Sequence, residues 1–386
     1  MKLIFVHDGP IFYDENGKYY EYSYHGLLER YSYLADEITF LMRTMPLAED
    51  TKGTPIPDQI RVVSVPNFKS PAVYFTQKPI AEKIIEEEIR NTDYAVLRGS
   101  SCAGIAMKYC RKYNKPFIYE CVGCTWDSLW NHSLLGKLMA PHSFLGAKKV
   151  IRDCEYVYYV TNEFLQKRYP TKGKSVGCSN VVINPVEDVV LESRLNRIGA
   201  KKSGDKILLG TAAALDVRYK GQEYVIMALK KLVEKGYDVE YHLAGGNRLK
   251  STFLQDLAKK HGVEDRVIFH GSLSAGQMPA FYDSLDIYIQ PSKQEGLPRS
   301  VIEAMSRGCP VAGTNIAGIP ELLQDMCLFK KGSTQAVVAV LDRMLQSDLS
   351  VIAKENFANA KQYELAVLTE RRNRFYDAFL ADQKSR

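Results

Sequence analysis

Residues 286–322 read DIYIQPSKQEGLPRSVIEAMSRGCPVAGTNIAGIPEL and place a strand, a polar loop, a helix and a second strand in close succession. The apolar runs 287–290 and 310–313 predict the two strands, and the apolar spacing of residues 300–307 predicts the helix. Gly308 follows the last helical residue, as is typical of a helix C-terminus. Strands and helices that alternate in this way build a parallel sheet with helices on both faces.

Short apolar runs alternate with amphipathic helical patterns along most of the chain. We predict further strands at residues 3–6, 38–42, 61–65, 94–97, 117–119, 156–160, 181–183, 206–210, 239–244, 267–270 and 328–329. The charged stretch 184–205 interrupts the alternation and indicates an irregular junction between domains. The predicted fold class is therefore α/β, with two doubly wound, Rossmann-like domains that face each other across a cleft.

The predicted domains are residues 1–185 and 186–358, followed by a C-terminal helix in 359–386 that packs back on the first domain. A length of 386 residues exceeds the size at which one hydrophobic core keeps growing, which agrees with two domains. The formal net charge of +6 fits an anionic ligand or membrane surface. It falls short of the charge that is typical of a nucleic-acid-binding protein, so we expect no nucleic-acid partner.

The N-terminal apolar run is too short for a signal peptide, and no stretch reaches the roughly 18 apolar residues that span a bilayer. We therefore expect a cytoplasmic protein. The eight cysteines lie mostly in apolar runs, as reduced, buried thiols do. Cys121 and Cys124 form one CxxC pair, but a structural zinc site needs a second pair, so we predict no metal site. A metal or redox role for this pair is the alternative.

Polar and glycine residues follow four predicted strands of the second half. Arg218 and Lys220 follow the first strand, Gly245 the second, Gly271 the third and Glu295 the fourth. Because the carboxyl ends of parallel strands meet at one edge of a sheet, we expect these loops to line a common cleft.

The second glutamate of the opening segment, Glu303, has two interpretations. It lies eight residues after Glu295 and inside the predicted helix, where a salt bridge to Arg307 one turn on would explain it without any function. The start of this helix offers unpaired N–H groups to phosphate oxygens, and Arg218 and Lys220 would neutralise a diphosphate. Carboxylates suit vicinal hydroxyls. The pattern therefore fits a nucleoside diphosphate sugar, with the ribose at Glu303 and the sugar at Glu295.

Residues 286–322 resemble the donor-site signature of retaining glycosyltransferases of family 4, which have the GT-B fold. The spacing of Glu295 and Glu303 is similar to the E-x7-E motif of that family, and the resemblance extends over about residues 207–325. It implies that Glu303 binds the ribose and that Glu295 contacts the donor sugar. The donor-binding residues that it implies are Glu303, Gly296, Leu297, Pro298, Arg299, Ser300, Gly245 and Gly271.

The resemblance also implies a catalytic set of Glu295, Lys220 and Arg218. Lys220 matches the lysine that binds the diphosphate. Ala214 stands at the usual position of its arginine partner, so Arg218 is the candidate for that role, and a solvated loop charge is the alternative. Enzymes of this family generally use neither a metal nor a cofactor. Retention is thought to follow front-side attack by the acceptor, with a covalent intermediate on Glu295 as the alternative.

The acceptor side is expected in the first domain, where relatives often have a histidine after the strand that corresponds to 117–119. This chain reads ECVGCTWDSLWNH there, so the nearest histidine is His132. The acceptor-side candidates are Gly9, Arg98, Asp127 and His132. A structural role is the alternative for Arg98, Asp127 and His132.

Residues 128–152 carry basic and apolar side chains and no acidic one. Lys137, Lys148, Lys149 and Arg152 are the basic residues. The segment fits an amphipathic element on an anionic membrane, as a lipid-linked acceptor would require. A helix with its apolar side in the core is the alternative.

The sequence therefore predicts a glycosyltransferase that moves a sugar from a nucleoside diphosphate sugar to a glycan or lipid-linked acceptor, in surface polysaccharide biosynthesis. A non-catalytic nucleotide-sugar-binding protein and a nucleotide-sugar epimerase of the same fold are the alternatives. The glutamate pair and Lys220 are all present, which favours the enzyme over a degenerate binding protein.

Overall fold

The computed structural model describes residues 1–21, 27–47, 53–130, 133–247 and 249–385. In chain order its strands are β1 Lys2–Val6, β2 Ile11–Tyr13, β3 Tyr19–Glu21, β4 Glu37–Met42, β5 Thr44–Pro46, β6 Thr54–Pro55, β7 Ile60–Ser64, β8 Tyr94–Arg98, β9 Phe117–Cys121, β10 Tyr156–Tyr159, β11 Lys174–Gly177, β12 Ile207–Ala212, β13 Val239–Ala244, β14 Val267–Gly271, β15 Ile287–Gln290, β16 Val311–Thr314 and β17 Leu328–Phe329. The helices are α1 Leu27–Ser32, α2 Pro71–Arg90, α3 Ser101–Lys112, α4 Thr125–Trp130, α5 Leu134–Arg152, α6 Phe164–Arg168, α7 Asp188–Ala200, α8 Gln222–Glu234, α9 Phe253–His261, α10 Met278–Ser284, α11 Arg299–Ser306, α12 Thr334–Leu345, α13 Leu349–Ala360 and α14 Leu365–Lys384.

Two parallel sheets form the cores of two Rossmann-like domains, as predicted. The first sheet has the strand order β11-β10-β9-β8-β1-β4-β7, and the second has the order β14-β13-β12-β15-β16-β17. The strand order reverses between β1 and β8 in the first sheet and between β12 and β15 in the second. Ligands of doubly wound sheets bind in the crevice at the carboxyl ends of the strands at such reversals.

The strands at the centre of each sheet are apolar because helices cover both of their faces. Every residue of β8, β10, β15 and β16 is buried. This burial is the reason why continuous apolar runs located most strands of both sheets in the sequence.

The prediction of a strand at 181–183 is wrong. The seventh strand of the first sheet is β11, and Ile183 forms only an isolated bridge with Glu364. As an edge strand, β11 pairs on one side and is partly exposed along its whole length. Its sequence, KSVG, therefore lacks the apolar run that marks a central strand.

Two stretches outside the predicted strands and helices contain regular structure. A small sheet with the order β5-β2-β3-β6 lies beside the first domain, and the Asp14 side chain stabilises the β2–β3 turn by accepting hydrogen bonds from the N–H groups of Asn16 and Lys18. The stretch 184–205 contains α7. Its buried Arg194 donates hydrogen bonds to the carbonyl oxygens of Tyr282 and Leu285. This charged side chain therefore packs α7 against the second domain.

The C-terminal helix α14 contacts the first domain. Tyr33 Oη donates a 2.7 Å hydrogen bond to Asp377, and Lys174 Nζ lies 2.7 Å from Asp382. The rings of Tyr94 and Phe379 pack edge to face at 5.6 Å. The domain boundaries at residues 185 and 358 stay a prediction.

Helix α5 has two apolar sides: Phe144, Ala147 and Val150 are partly buried against the core, as the alternative interpretation expects, and a separate apolar stripe is exposed. Leu134, Leu138 and Leu145 are 81%, 80% and 64% exposed. The buried residues of α5 are one glycine, one alanine and one isoleucine. Within the described part of the chain, none of the helices combines the length and the apolar composition that a membrane-spanning helix requires.

Candidate active site in the interdomain cleft

A cavity of about 590 Å³ lies between the two domains. Asp127 and Arg168 line it from the first domain, and Glu295, Lys293 and Lys331 line it from the second. Glu295 follows β15, so the cavity adjoins the reversal in strand order of the second sheet. Of the residues predicted for the donor side, Glu295 lines this cavity.

The two domains are joined at the rim of this cavity by hydrogen bonds to one carboxylate. Glu321 accepts hydrogen bonds from the backbone N–H of Asn162 at 2.6 Å and from that of Phe164 at 2.5 Å. Because Phe164 is the first residue of α6, the carboxylate satisfies donors that the helix cannot pair internally. We refer to Glu321, Asn162 and Phe164 as the interdomain clasp.

Three donors meet at a single oxygen of Glu295. Its Oε1 accepts hydrogen bonds from Lys220 Nζ at 2.8 Å, Gln290 Nε2 at 2.9 Å and Ser292 Oγ at 2.7 Å. Lys220 comes from the loop after β12, whereas the other two donors lie at the end of β15 and in the loop after it. The carboxylate is therefore fixed by two neighbouring loops, and its other oxygen can bind a ligand in the cleft.

The loop that carries Lys220 is fixed to the loop that carries Glu295 by backbone contacts. Lys293 N donates a 2.7 Å hydrogen bond to Tyr219 O. Gly221 has a φ of +77°, and a Cβ there would lie 2.1 Å from Pro291 O. Glycine is required at this close approach, which positions the Lys220 ammonium group beside the cleft.

Arg218 is directed away from Lys220 and Glu295. Its exposed guanidinium lies 3.4 Å from the centroid of the Phe253 ring, at the start of α9. Arg218 and Lys220 belong to one 3-10 turn, Arg218–Lys220, in which residues two apart point to different sides. The structure thus brings Lys220 to the predicted site and does not bring Arg218 there.

Glu303 lies on α11, half-buried beside a second cavity of about 490 Å³. Its Oε2 accepts a 2.8 Å hydrogen bond from Tyr282 Oη, and its Oε1 lies 4.0 Å from Arg299 Nη1. Burial raises the pKa of the Glu303 carboxyl, while Tyr282 and Arg299 act in the opposite direction. The alternative pairing with Arg307 is not formed, because Arg307 Nη2 lies 2.6 Å from Asp283 Oδ2.

The N-terminus of α11 has no side-chain cap, and the loop before it is attached to a neighbouring segment. Pro298 is the N-cap, and its ring offers no acceptor to the N–H groups of the first turn. Gly318 N donates a 2.9 Å hydrogen bond to Gly296 O, which attaches the loop to the segment after β16. The side chain of Leu297, the residue after Gly296, is partly buried. It lies so close to Gly318 that a Cβ at Gly318 would be 2.8 Å from Leu297 Cδ1. This helix start has the positive dipole end that suits an anion.

Gly245 and Gly271 join the loops at the ends of the other strands. Gly245 N donates a 2.7 Å hydrogen bond to Gly271 O. Gly245 has a φ of +154°, and a Cβ there would lie 1.9 Å from Ala213 O. Gly245 therefore allows close backbone contact between loops, whereas a contact of either glycine with the donor stays a prediction.

The family model described as glycosyl transferases group 1 matches residues 194–363, which include this whole constellation. Protein CapJ of Staphylococcus aureus is 30% identical over 360 residues, and the match covers 90% of this chain and 87% of CapJ. The chain belongs to the glycosyl transferases group 1 family. A glycosyltransferase of O-antigen biosynthesis, WclY of Escherichia coli, is 34% identical over 124 residues, or 32% of this chain and 33% of WclY.

The predicted GT-B fold is confirmed by comparison with solved structures. Anabaena HepE in complex with UDP aligns over 100% of both chains with a TM-score of 0.65 and 17% identity. HepE in complex with UDP-glucose aligns with 98% of this chain and 100% of HepE, with a TM-score of 0.63 and 16% identity.

In this glycosyltransferase, two of the acceptor-side candidates are part of the framework of the first domain. Arg98 is buried, and its Nε donates a 2.8 Å hydrogen bond to Glu120, which also accepts one from Tyr31 Oη. Gly9 has a φ of +38°, and its N–H donates to His7 Nδ1. Neither residue lines the interdomain cavity.

Asp127 is the candidate that does line this cavity, and it lies 3.7 Å from Arg168. His132 lies outside the described residues. Sequence reasoning missed Asp8, whose carboxylate accepts hydrogen bonds from the N–H groups of Ser101 and Cys102 at the start of α3. Lys69 Nζ lies 2.5 Å from the same carboxylate.

Gln290, Ser292 and Tyr282 were also missed on the donor side. Each contacts one of the two predicted glutamates. The signal for Gln290 is a polar residue that closes the apolar run IYIQ at the carboxyl end of a central strand. A buried amide at that position requires partners, and the nearest polar residues in sequence supply them.

The cysteines of this glycosyltransferase are free thiols, and seven of the eight are buried. Burial raises the pKa of the Cys121 thiol to about 12, which leaves it protonated at neutral pH. In the described residues, no three side chains of the metal-binding types converge on one point. Metal independence stays a prediction.

Proposed function

We propose that this glycosyltransferase transfers a sugar, with retention of configuration, from a nucleoside diphosphate sugar to a glycan or lipid-linked acceptor in surface polysaccharide biosynthesis. The observation that carries the proposal is the salt bridge between Lys220 and Glu295, because Glu295 lines the interdomain cavity and precedes the first residue of α11 by four positions. WclY, a relative, acts in O-antigen biosynthesis, and HepE, which has the same fold, binds UDP-glucose.

In the proposed complex, the diphosphate lies at the N-terminus of α11 and within reach of Lys220. The ammonium group has three N–H donors and uses one of them for Glu295, so two remain for phosphate oxygens. Oε1 of Glu303 accepts from a ribose hydroxyl, since Tyr282 already binds Oε2. The second oxygen of Glu295 accepts from a hydroxyl of the donor sugar. Backbone N–H groups in 296–300 bind the remaining oxygens.

The proposed reaction breaks the bond between the anomeric carbon and the phosphate oxygen, and the nucleoside diphosphate leaves with the bonding electrons. The acceptor hydroxyl oxygen forms the new bond on the same face, and its proton passes to the departing phosphate oxygen. Lys220 and the dipole of α11 stabilise the charge that develops on the diphosphate. This scheme needs no protein nucleophile, metal ion or cofactor, and EDTA should leave the rate unchanged.

The donor site is tested by two single substitutions and a ligand panel. A thermal-shift series with UDP-glucose, UDP-galactose, UDP-N-acetylglucosamine, GDP-mannose and ADP-glucose should identify one nucleotide that raises the melting temperature. Glu303→Ala should weaken binding of the free nucleoside diphosphate. Glu295→Ala should lower the rate of nucleotide release from the donor, with a smaller effect on that affinity. Negligible effects of both substitutions would contradict the assignment.

The products formed from the same nucleotide sugars separate the transferase from its two alternatives. A non-catalytic binding protein would bind the nucleotide sugar and release no nucleoside diphosphate from it. An epimerase would convert the sugar without transfer to an acceptor. Release of the nucleotide with the sugar transferred to water or to a glycan would support the proposal over both.

The exposed stripe of α5 supports contact with an anionic membrane on the cytoplasmic side. At about 100° per residue, Leu134, Leu138 and Leu145 lie within about 40° of one another around the helix. Lys148 and Arg152 fall on the continuation of the same stripe and are exposed. Apolar side chains beside cations on one face suit insertion between acidic lipid headgroups.

Vesicle flotation tests the membrane contact. Wild-type protein should float with phosphatidylglycerol vesicles, and Lys148→Glu/Lys149→Glu should lower partitioning at least about 10-fold, since each basic residue near the surface contributes about 1 kcal/mol. Lys230→Glu/Lys231→Glu on α8 makes the same charge change on the second domain and should partition like wild type. Equal partitioning of all three proteins would contradict the membrane contact.

A further inference from the structure

The side chain of Gln290 connects the two parts of the proposed donor site. It is 1% exposed and lies at the carboxyl end of β15. Its Nε2 donates hydrogen bonds to Glu295 Oε1 and Ser292 Oγ, each at 2.9 Å. Its Oε1 accepts from Tyr288 Oη at 2.7 Å and from Ser300 Oγ at 3.2 Å. All four hydrogen-bonding positions of the amide are therefore occupied.

The orientation of this amide is determined by its partners. Oε1 of Glu295 only accepts hydrogen bonds, so the Gln290 nitrogen has to face it. The Gln290 oxygen then faces Ser300, the second residue of α11. Tyr288 is bound in turn to the end of β12, where Ala212 N donates to Tyr288 Oη at 3.2 Å. The buried amide thus links β12, β15 and the first turn of α11.

We propose that Gln290 is a positioning residue that sets the distance between the Glu295 carboxylate and the N-terminus of α11. This inference rests on the proposed function, in which the sugar contacts Glu295 and the diphosphate contacts α11. Those two groups of the donor are joined by a single covalent bond, the one that breaks. A fixed spacing between their binding groups aligns that bond, and a buried, fully hydrogen-bonded amide provides such a spacing.

Gln290→Leu removes the four hydrogen bonds with little change in side-chain volume. Because a displacement of about 1 Å at a catalytic group costs up to about 100-fold in rate, we expect nucleotide release from the donor to slow about 10- to 100-fold. Affinity for the free nucleoside diphosphate should stay within about 3-fold of wild type, since Glu303 is bound by Tyr282 and not by Gln290.

Thr211→Val is the matched control. Thr211 is buried on the neighbouring strand, and its Oγ1 donates to Ile289 O without contact to Glu295 or Ser300. This variant should release nucleotide at the wild-type rate. Melting temperatures of both variants, with and without nucleoside diphosphate, show whether each protein is folded at the assay temperature.

A double substitution separates positioning from general stability. If Gln290 acts through Glu295, adding Gln290→Leu to Glu295→Ala should slow the reaction by less than about 3-fold further. A full additional loss in that background, a parallel loss of nucleotide affinity or a wild-type rate for Gln290→Leu alone would overturn the inference. The donor and its nucleoside diphosphate are those with the largest shift in the thermal panel. Binding of none of them, or full activity of Glu295→Ala, would instead overturn the proposed function.

Discussion

Helices α3 and α11 occupy the same place in the two domains, yet their N-termini differ. Helix α3 follows β8, and α11 follows β15. These strands pair with β1 and β12, the first strands of their sheets in chain order, at the point where the strand order reverses. At α3, Asp8 accepts hydrogen bonds from the first N–H groups, and Ser100 Oγ accepts one from Ala103 N. At α11, the cap residue is Pro298, which offers no such acceptor.

Under the proposed function, the same fold position serves structure in the first domain and ligand binding in the second. A carboxylate from the chain itself satisfies the donors and the dipole of α3, so a phosphate there would be repelled. The donors at α11 are left for a ligand, with Lys220 beside them. The same contrast applies to the ion pairs, since Arg98 and Glu120 are buried inside the first domain whereas Glu295, the partner of Lys220, lines the cleft.

The largest expected effect tests whether the buried charges of the first domain are structural. Glu120→Gln should lower the free energy of unfolding by about 3–5 kcal/mol, because it leaves the buried Arg98 without its counter-ion. Denaturant unfolding measures the change. Glu370→Gln, which removes an exposed partner of Arg374, is the control and should leave the midpoint almost unchanged. If Glu120→Gln has wild-type stability but no longer transfers sugar, the Arg98–Glu120 pair serves the reaction rather than the structure, and the contrast between the domains is wrong.

The next effect tests the two cations of the second domain against each other. Lys220→Met should lower the rate of nucleotide release about 100- to 1000-fold, as expected when a group that stabilises developing charge is removed. Arg218→Met should change it less than about 10-fold, since Arg218 stacks on Phe253 outside the cleft. Equal losses would show that Arg218 moves to the diphosphate when the donor binds.

A smaller effect is expected at the start of α3. Asp8→Asn should cost about 1–2 kcal/mol of stability, as the loss of an N-terminal carboxylate does. Burial opposes ionisation of Asp8, but hydrogen bonds from Lys69 and Cys102 outweigh it and lower the pKa to about 2. A lowered pKa stabilises the fold above the ordinary value of 3.8, and that contribution is lost as the pH falls toward 2. Urea unfolding at pH 7 and below pH 4 should therefore show the two proteins converging at the lower pH.

The smallest effect concerns Glu303. Because burial raises its pKa, Glu303 takes up a proton at a pH above 4.5, where an ordinary glutamate is still ionised. A protonated carboxyl is a weaker acceptor for ribose hydroxyls, so nucleotide affinity should decline as the pH falls through this range. Calorimetric titration at several pH values measures it. Glu303→Gln should bind more weakly and without that pH dependence, and a parallel decline in both proteins would place the titrating group elsewhere.

The sequence predicted the fold of the second domain well because its signals are local. Apolar runs located the central strands, and the spacing of Glu295 and Glu303 placed one carboxylate in a loop and the other on a helix. The direction of Arg218 was not predictable, since it depends on where Phe253, 35 positions along the chain, lies in space. The four partners of Gln290 lie within ten residues of it in the sequence, but which of the polar residues in that stretch turn toward the amide depends on the fold.

The first domain was less predictable because its charged residues pair across the fold. Arg98 and Glu120 lie on adjacent strands, and their pairing follows from strand order rather than from local sequence. The edge strand β11 lacks a continuous apolar run because its partial exposure does not require one, and β2 and β3 are only three residues long. The exposure of α5 depends on which elements pack against it. The amphipathic pattern of the helix itself does not determine these.

The interdomain clasp has a consequence for substrate exchange. One carboxylate accepts both hydrogen bonds, so a movement that separates the domains at this point breaks them together. Hydrogen bonds to a charged group contribute about 1.5–3 kcal/mol each, less the hydration that the separated groups regain. A bias of about 1.4–3 kcal/mol corresponds to a closed cleft about 10 to 100 times more populated than an open one. The two hydrogen bonds to Glu321 therefore oppose any movement of the domains that would widen the cleft at this edge.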